Sequence, residues 1–181
     1  MRSFKIGIFL SLGFLLFFTV PSALANNLQQ REDSILLEGS VFNNETKVEN
    51  AIIRVYINNK LYKSVKVSRS NKFKTNLPFN QMLTIEIAAP GFHSKRFMMD
   101  TNVPESEKSR MRYTFDMDIF SEEEMKGVNT SLLDFPVGLV HYDEKKGEFV
   151  HDKKYTKQMK KEYFNLLEQA KLSERSGMEG D

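Results

Sequence analysis

Between Ile35 and Ile119 apolar side chains recur at every second position, segment after segment. Leu37, Gly39 and Val41 share one side. So do Ala51, Ile53, Val55 and Ile57, then Phe73, Thr75 and Leu77, then Leu83, Ile85 and Ile87, and finally Tyr113, Phe115, Met117 and Ile119. A strand sends successive side chains to opposite faces, so this period marks strands with one wet face and one buried face. Turn chemistry separates them: NNETKVEN, Asn58-Asn59, SRSNK, Pro78, Pro90-Gly91 and NVPESEKSR. Asn58-Asn59 predicts a two-residue hairpin, because Asn tolerates the positive φ that such turns require. Seven short strands within residues 35–120, spaced this way, predict an antiparallel β-sandwich.

The character changes after Phe120, and residues 121–181 read as an extension of the sandwich. Ser121 and Glu124 fit a capping box, which predicts a short helix. Residues 137–151 predict a small hairpin turning at Lys145-Lys146-Gly147. Residues 152–172 predict a helix, with Tyr155, Met159, Tyr163, Leu166, Leu167 and Ala170 as its apolar stripe. The tail SERSGMEGD predicts fraying.

The other end of the chain speaks to destination. Residues 1–25 hold a cationic start, an apolar run of 15 residues from Ile6 to Val20, and small residues at Ala23 and Ala25. A spanning helix needs ~20 apolar residues, so this layout predicts a signal peptide cleaved between Ala25 and Asn26. Residues 26–34 then form a flexible lead-in. The full chain carries a net charge of +2, and Arg2 and Lys5, the charged residues of the leader, account for all of it. A neutral remainder excludes a broad nucleic-acid footprint. No cysteine is present, which excludes disulfides, thiolate ligands, a thiol nucleophile and an N-terminal lipid-bearing Cys. The chain must hold together by burial, and about 150 residues bury roughly two-thirds of their unfolded surface. The expected location is a periplasm, cell surface or medium, with no transmembrane segment once the leader is removed.

The run LLEGSVFNNETKVENAIIRVYINN, followed by SRSNKFKTNLPFNQMLTIEIAAPGF, resembles the carboxypeptidase-regulatory-like domains. The residues that carry the likeness are Gly39-Ser40-Val41, Ala51 to Val55, Asn71 to Phe73, and Gly91-Phe92, in that order, within residues 35–100. The chain is also similar to small exported proteins of Bacteroidetes-type bacteria. The resemblance implies a seven-stranded antiparallel prealbumin-like (transthyretin-like) β-sandwich, here followed by the small hairpin and the C-terminal α-helix. It also implies that Gly91 and Phe92 are structural, a tight reversal and a core side chain. One departure is that Asn71-Lys72 stands where the family has Asp-Gly before the Phe; Asn can take the left-handed conformation in place of Gly.

Candidate chemistry is sparse. Lys95 and Arg96 are adjacent on a strand, face opposite ways, and make a poor clamp for one anion. His141 and His151 flank the Lys145-Lys146-Gly147 turn. A three-residue loop would set them side by side, where Asp143 or Asp152 could complete a zinc site; a four-residue loop would send them to opposite faces. Asp116 and Asp118, with Asp100, fall short of the six or more oxygens that calcium takes. No Gly-x-Ser-x-Gly or His-Glu-x-x-His motif occurs. Tyr56 and Tyr62, one in each arm of the Asn58-Asn59 hairpin, are the candidates for a sugar-binding face. The expected protein is an exported cell-envelope module, structural or binding, acting through protein or glycan contacts, with no enzymatic activity, cofactor or metal. The alternative is a small metal-dependent hydrolase using His141 and His151. N-terminal sequencing of the processed chain should read Asn26-Asn27-Leu28; a retained Met1 would mean an uncleaved anchor.

Overall fold

The computed structural model describes residues 34–109 and 111–178. The signal segment, the Ala25–Asn26 junction and the lead-in up to residue 33 lie outside them. The fold is mainly β: two mixed sheets form a sandwich, and one long helix closes the chain. The strands are β1 (Ile35–Asn43), β2 (Thr46–Lys47), β3 (Ile52–Ile57), β4 (Lys60–Lys66), β5 (Phe73–Leu77), β6 (Met82–Ala88), β7 (Lys95–Asp100), β8 (Met111–Asp118), β9 (Leu139–Asp143) and β10 (Glu148–His151). The helix α1 spans Lys153–Met178.

The first sheet has four strands, with β1 pairing β2, β5 and β8. The second has six, in the order β10-β9-β7-β6-β3-β4. Their facing sides bury the alternating residues: Ile35, Leu37 and Val41 of β1 meet Ile53, Val55, Leu83, Ile85, Ile87, Phe97 and Met99 of the second sheet. Aromatic rings bridge the layers, with Phe97 and Phe115 edge to face at 4.8 Å between centroids. Such pairs add to the area they bury.

Several turns follow from Asn chemistry. Asn58 and Asn59 sit at φ 49° and 60° between Ile57 and Lys60, the two-residue hairpin predicted above. Asn71 sits at φ 61°, so it does take the left-handed conformation before Phe73. Asn44 and Glu45, at φ 47° and 67°, turn β1 into the short β2.

The strand count and the pairing differ from expectation. Eight strands precede Ile119 rather than seven, the extra one being the two-residue β2. The sandwich is not wholly antiparallel: β1 pairs β8 in parallel from Ile35–Met111 to Phe42–Asp118. The hairpin is not a separate unit either, because β9 pairs β7 in parallel through Met98–Leu139 and Met99–Val140 and so widens the second sheet. The expected short helix at Ser121 is a run of turns. Its capping box forms all the same, Ser121 N donating to Glu124 Oε2 at 2.7 Å and Glu124 N to Ser121 Oγ at 3.1 Å. Gly127, at φ 78°, breaks the right-handed course of the chain soon after. α1 runs past residue 172 to Met178, so the tail is helical over most of its length. Asp152 caps it, accepting from Tyr155 N at 2.8 Å. The predicted stripe packs as a second core: Met159, Tyr163, Leu166 and Ala170 close on Phe120, Met125 and Leu133, with Tyr155 and Leu167 at the margin.

One edge of the six-stranded sheet is β4 and the other is β10. A bulge at Tyr62 shifts the register of β4, and Lys63, paired with the buried Val55, is itself exposed. A bulge and exposed lysines on an edge strand oppose pairing with another chain.

Gly39 permits a close backbone approach inside the sandwich. A Cβ added there would lie 1.8 Å from Phe115 O and 3.3 Å from the Phe73 ring. Gly39→Ala should therefore cost about 3 kcal/mol through overpacking, read as a lowered denaturant midpoint with unchanged slope.

Candidate functional site

The Pro90-Gly91-Phe92 reversal serves the fold. Gly91 has φ 77°, and Phe92 N donates to Ala89 O at 3.2 Å, closing the turn. The turn then grips the start of the extension: His93 N donates to Phe120 O at 2.9 Å, and Glu122 N donates to Gly91 O at 2.9 Å. Phe92 packs against the sandwich core.

Lys95 and Arg96 point apart, as their adjacency requires. Lys95 is buried, 6% exposed, on the core side of β7. Its Nζ donates to Asp118 O and lies 3.9 Å above the Phe120 ring and 4.6 Å from the Tyr163 ring. One ammonium therefore ties together β7, β8, the extension and α1. Burial pulls its pKa from the ordinary 10.5 to about 8, against the opposing pull of Asp118 and Glu124. Contact with the two rings stabilises the charged form. Glu124 itself is held by Asn43 Nδ2 at 2.7 Å and by Asn44 Nδ2. Burial raises its pKa, but the hydrogen bonds from Ser121, Asn43 and Asn44 outweigh that and leave it below the ordinary carboxylate value.

Arg96 faces outward into a second cluster on the solvent side of the six-stranded sheet. Register places Arg54 of β3, Glu86 of β6 and Arg96 of β7 in one row across three strands. Glu86 Oε1 accepts from Arg96 Nε at 3.0 Å and from its Nη2 at 2.8 Å, while Oε2 accepts from Arg54 Nη1 at 3.0 Å and from Tyr56 Oη at 2.9 Å. Glu86 is 5% exposed, beneath arginines whose side chains are about a third open to solvent. Burial raises the carboxyl pKa, and the hydrogen bonds from Arg54, Arg96 and Tyr56 more than reverse that, leaving it lowered. The next row runs Leu61, Tyr56, Thr84, Met98 and Leu139 across five strands, with Met82 beyond it. Leu61 is 57% exposed and Met82 49%. Sequence reasoning missed this cluster. The available signal was Glu86 itself, a carboxylate inside the apolar run Leu83–Ala88, since an acid so placed is rarely buried unpaired. Of the two tyrosines proposed for sugar binding, Tyr56 joins the row, whereas Tyr62 stands in the bulge, so the two do not form one platform.

The histidines do not converge. Val150 pairs His141 and Val140 pairs His151, which leaves a four-residue loop, Glu144–Gly147, and puts the two imidazoles on opposite faces. This corrects the three-residue loop that a shared zinc site needed. Among the described residues no group of three His, Cys, Asp or Glu could hold a metal ion. Asp116 and Asp118 border an open depression with Phe42, Asn44 and Glu45, where Asp118 Oδ1 accepts from Asn44 N at 2.9 Å. Asp100 lies on the other sheet and accepts from Asn102 N at 3.0 Å. At the end of the sandwich that holds the Pro-Gly turn, the connections Val48–Asn50 and Val67–Asn71 enclose a cleft of about 340 Å³.

No family model matches the chain. No curated protein matches it either. Among solved structures it aligns with the catechol 1,2-dioxygenase of Acinetobacter radioresistens at 13% identity and a TM-score of 0.41, over 59% of this chain and 57% of that one. It aligns with the 3-chlorocatechol 1,2-dioxygenase of Rhodococcus opacus at 9% identity and a TM-score of 0.36, over 49% and 60%. It also aligns with a Bacteroides fragilis protein, described as membrane-associated and of unknown function, at 14% identity and a TM-score of 0.35, over 50% and 28%. These neighbours are β-rich, and the chain spans less than two-thirds of the length of each. The expectation that the chain is not an enzyme is corrected here, because the solved structures that align with it include two dioxygenases. Alignments this remote carry no activity across to this chain. No helix among the described residues is long and apolar enough to cross a membrane.

The Lys95 site has a pH signature. In the fold its pKa is about 8, and in the unfolded chain it keeps the ordinary 10.5, so between those values the unfolded state binds more protons. Stability should rise with pH across that window and fall back as pH drops through 8. Lys95→Met should flatten the profile between pH 8 and 10 while keeping the fold, as urea midpoints measured across that range would show.

Proposed function

We propose that this chain is an exported cell-envelope binding module that meets a protein partner through the outer face of its six-stranded sheet. The leader-like segment of residues 1–25 supports export. The order of Gly39-Ser40-Val41, Ala51–Val55, Asn71–Phe73 and Gly91-Phe92 supports reading the sandwich as a carboxypeptidase-regulatory-like domain of the prealbumin-like kind.

The observation that carries the binding reading is the composition of the outer face. Leu61 and Met82, both about half exposed, share one face of the sheet with Tyr56 and Met98, and Arg54 and Arg96 border them. Tyr, Met and Arg are the residues enriched at the centres of protein interfaces. The Glu86 carboxylate fixes both guanidinium groups and the Tyr56 hydroxyl in place, so these side chains lose little freedom on binding. Two arginines against one carboxylate leave a positive border. The partner surface this fits is an apolar patch ringed by carboxylates.

A photo-crosslinking residue placed at Leu61 or at Met82 in the native cell should give one discrete protein adduct. The same residue at Lys74, on the outer face of the four-stranded sheet, should give none. Adducts alike at all three positions, or none at any, would overturn this reading. An adduct that resists protease but yields to glycosidases would assign the face to a glycan instead.

A further inference from the structure

We infer, resting on the protein-contact reading of the outer face of the six-stranded sheet, that its partner is a second copy of this chain, packed face to face about a two-fold axis. The arginine end of that face suits an apolar patch ringed by carboxylates, and the same face carries such a patch at its other end. Val140 and Phe149 turn inward to the core, so Leu139, His141 and Val150 turn outward. Val150 pairs His141, and the half-exposed Met82 of β6 pairs Asp100 of β7. Two residues further along β9 and β10, Asp143 and Glu148 stand directly opposite one another. Carboxylates so placed repel. Lys146 makes only a loose ion pair with Asp143, at 3.8 Å, and Glu148 has no ion-pair partner among the described residues. This end of the face is short of positive charge.

The two ends are complementary to each other. At one, Arg54 and Arg96, with Lys66 opposite the outward Ile52, outnumber Glu86. At the other, Asp100, Asp143 and Glu148 outnumber Lys146. Tyr56, Met82, Met98 and Leu139 lie between them. Arg96 and Asp100 are four residues apart on β7, about 13 Å at the rise of a strand. That exceeds the ~8 Å over which exposed charges act at physiological salt, so the ends do not neutralise each other within one molecule. A face of one sign would repel its own copy. On this face a two-fold axis between the ends lays the arginine end of each copy on the acidic end of the other and closes the apolar middles together.

The processed protein, purified from an exporting host, can be followed by sedimentation velocity from about 1 µM to 1 mM, which spans weak and transient interfaces. It should pass from monomer to dimer and no further. Glu148→Lys, at an exposed position, should weaken dimerisation about tenfold. Lys74→Glu, on the outer face of the other sheet, should leave it unchanged. The chain has no cysteine, so Met82→Cys is a single reporter in the middle of the face. Mild oxidation should link two copies through it, while Lys74→Cys stays unlinked; this comparison carries the test should Glu148→Lys fail to fold. A parent that stays monomeric throughout, a Glu148→Lys protein that dimerises like the parent, or equal linkage at both cysteines would each overturn the proposal. A monomeric parent whose photo-adduct at Leu61 or Met82 holds a different protein would sink the self-pairing and leave the protein-contact reading standing. No adduct at either position would sink that reading as well.

Discussion

The parallel pairing of β1 with β8 is the contact on which the rest of the molecule depends. It joins the first and eighth strands over eight residue pairs, from Ile35–Met111 to Phe42–Asp118. It is possible only because Gly39 lets the Phe115 carbonyl approach where any side chain would collide. It also delivers Asp118, Ile119 and Phe120 to the end of the sandwich where the Pro90-Gly91 turn and Lys95 await them. Long-range pairing of this kind closes a large loop, and the loop-closure cost is offset by the apolar faces brought together.

From that end the extension becomes part of the body. Ile119 N donates to Phe42 O at 2.8 Å, and Glu124 binds the Asn43-Asn44 corner. The Lys95 ammonium then lies between the two cores, with the sandwich on one side and the rings of Phe120 and Tyr163 on the other. A charge kept this dry contributes less to stability than a well-packed apolar side chain of similar size. What it adds is direction: its donor reaches one carbonyl and its charge two rings, so α1 is held in one position against the β8 end.

Local chemistry was largely legible in the sequence. Alternation located the strands, Asn58-Asn59 and Asn71 announced their backbone conformations, and the Tyr155–Ala170 stripe named the buried side of α1. The opposed directions of Lys95 and Arg96 followed from their adjacency. What could not be read was which strand lies beside which. Nothing near Leu139 signals that it will pair with Met98, and nothing near Ile35 signals a parallel partner at Met111. The Glu86 cluster was hidden for the same reason, since Arg54, Glu86 and Arg96 become a row only when β3, β6 and β7 are set side by side. The histidine pair turned on a single residue of loop length, a quantity that turn composition does not fix.

The bulged β4 edge has a bearing on how such a chain fares in company. A sheet without disulfides to lock it, ending in an open ladder, could in principle be extended by every identical neighbour. Here a newcomer would have to lie against the exposed Lys60, Lys63 and Lys66 and follow a backbone that the Tyr62 bulge has put out of step. The β4 edge is thus terminated by a built-in misfit, which opposes the growth of a fibre from that side.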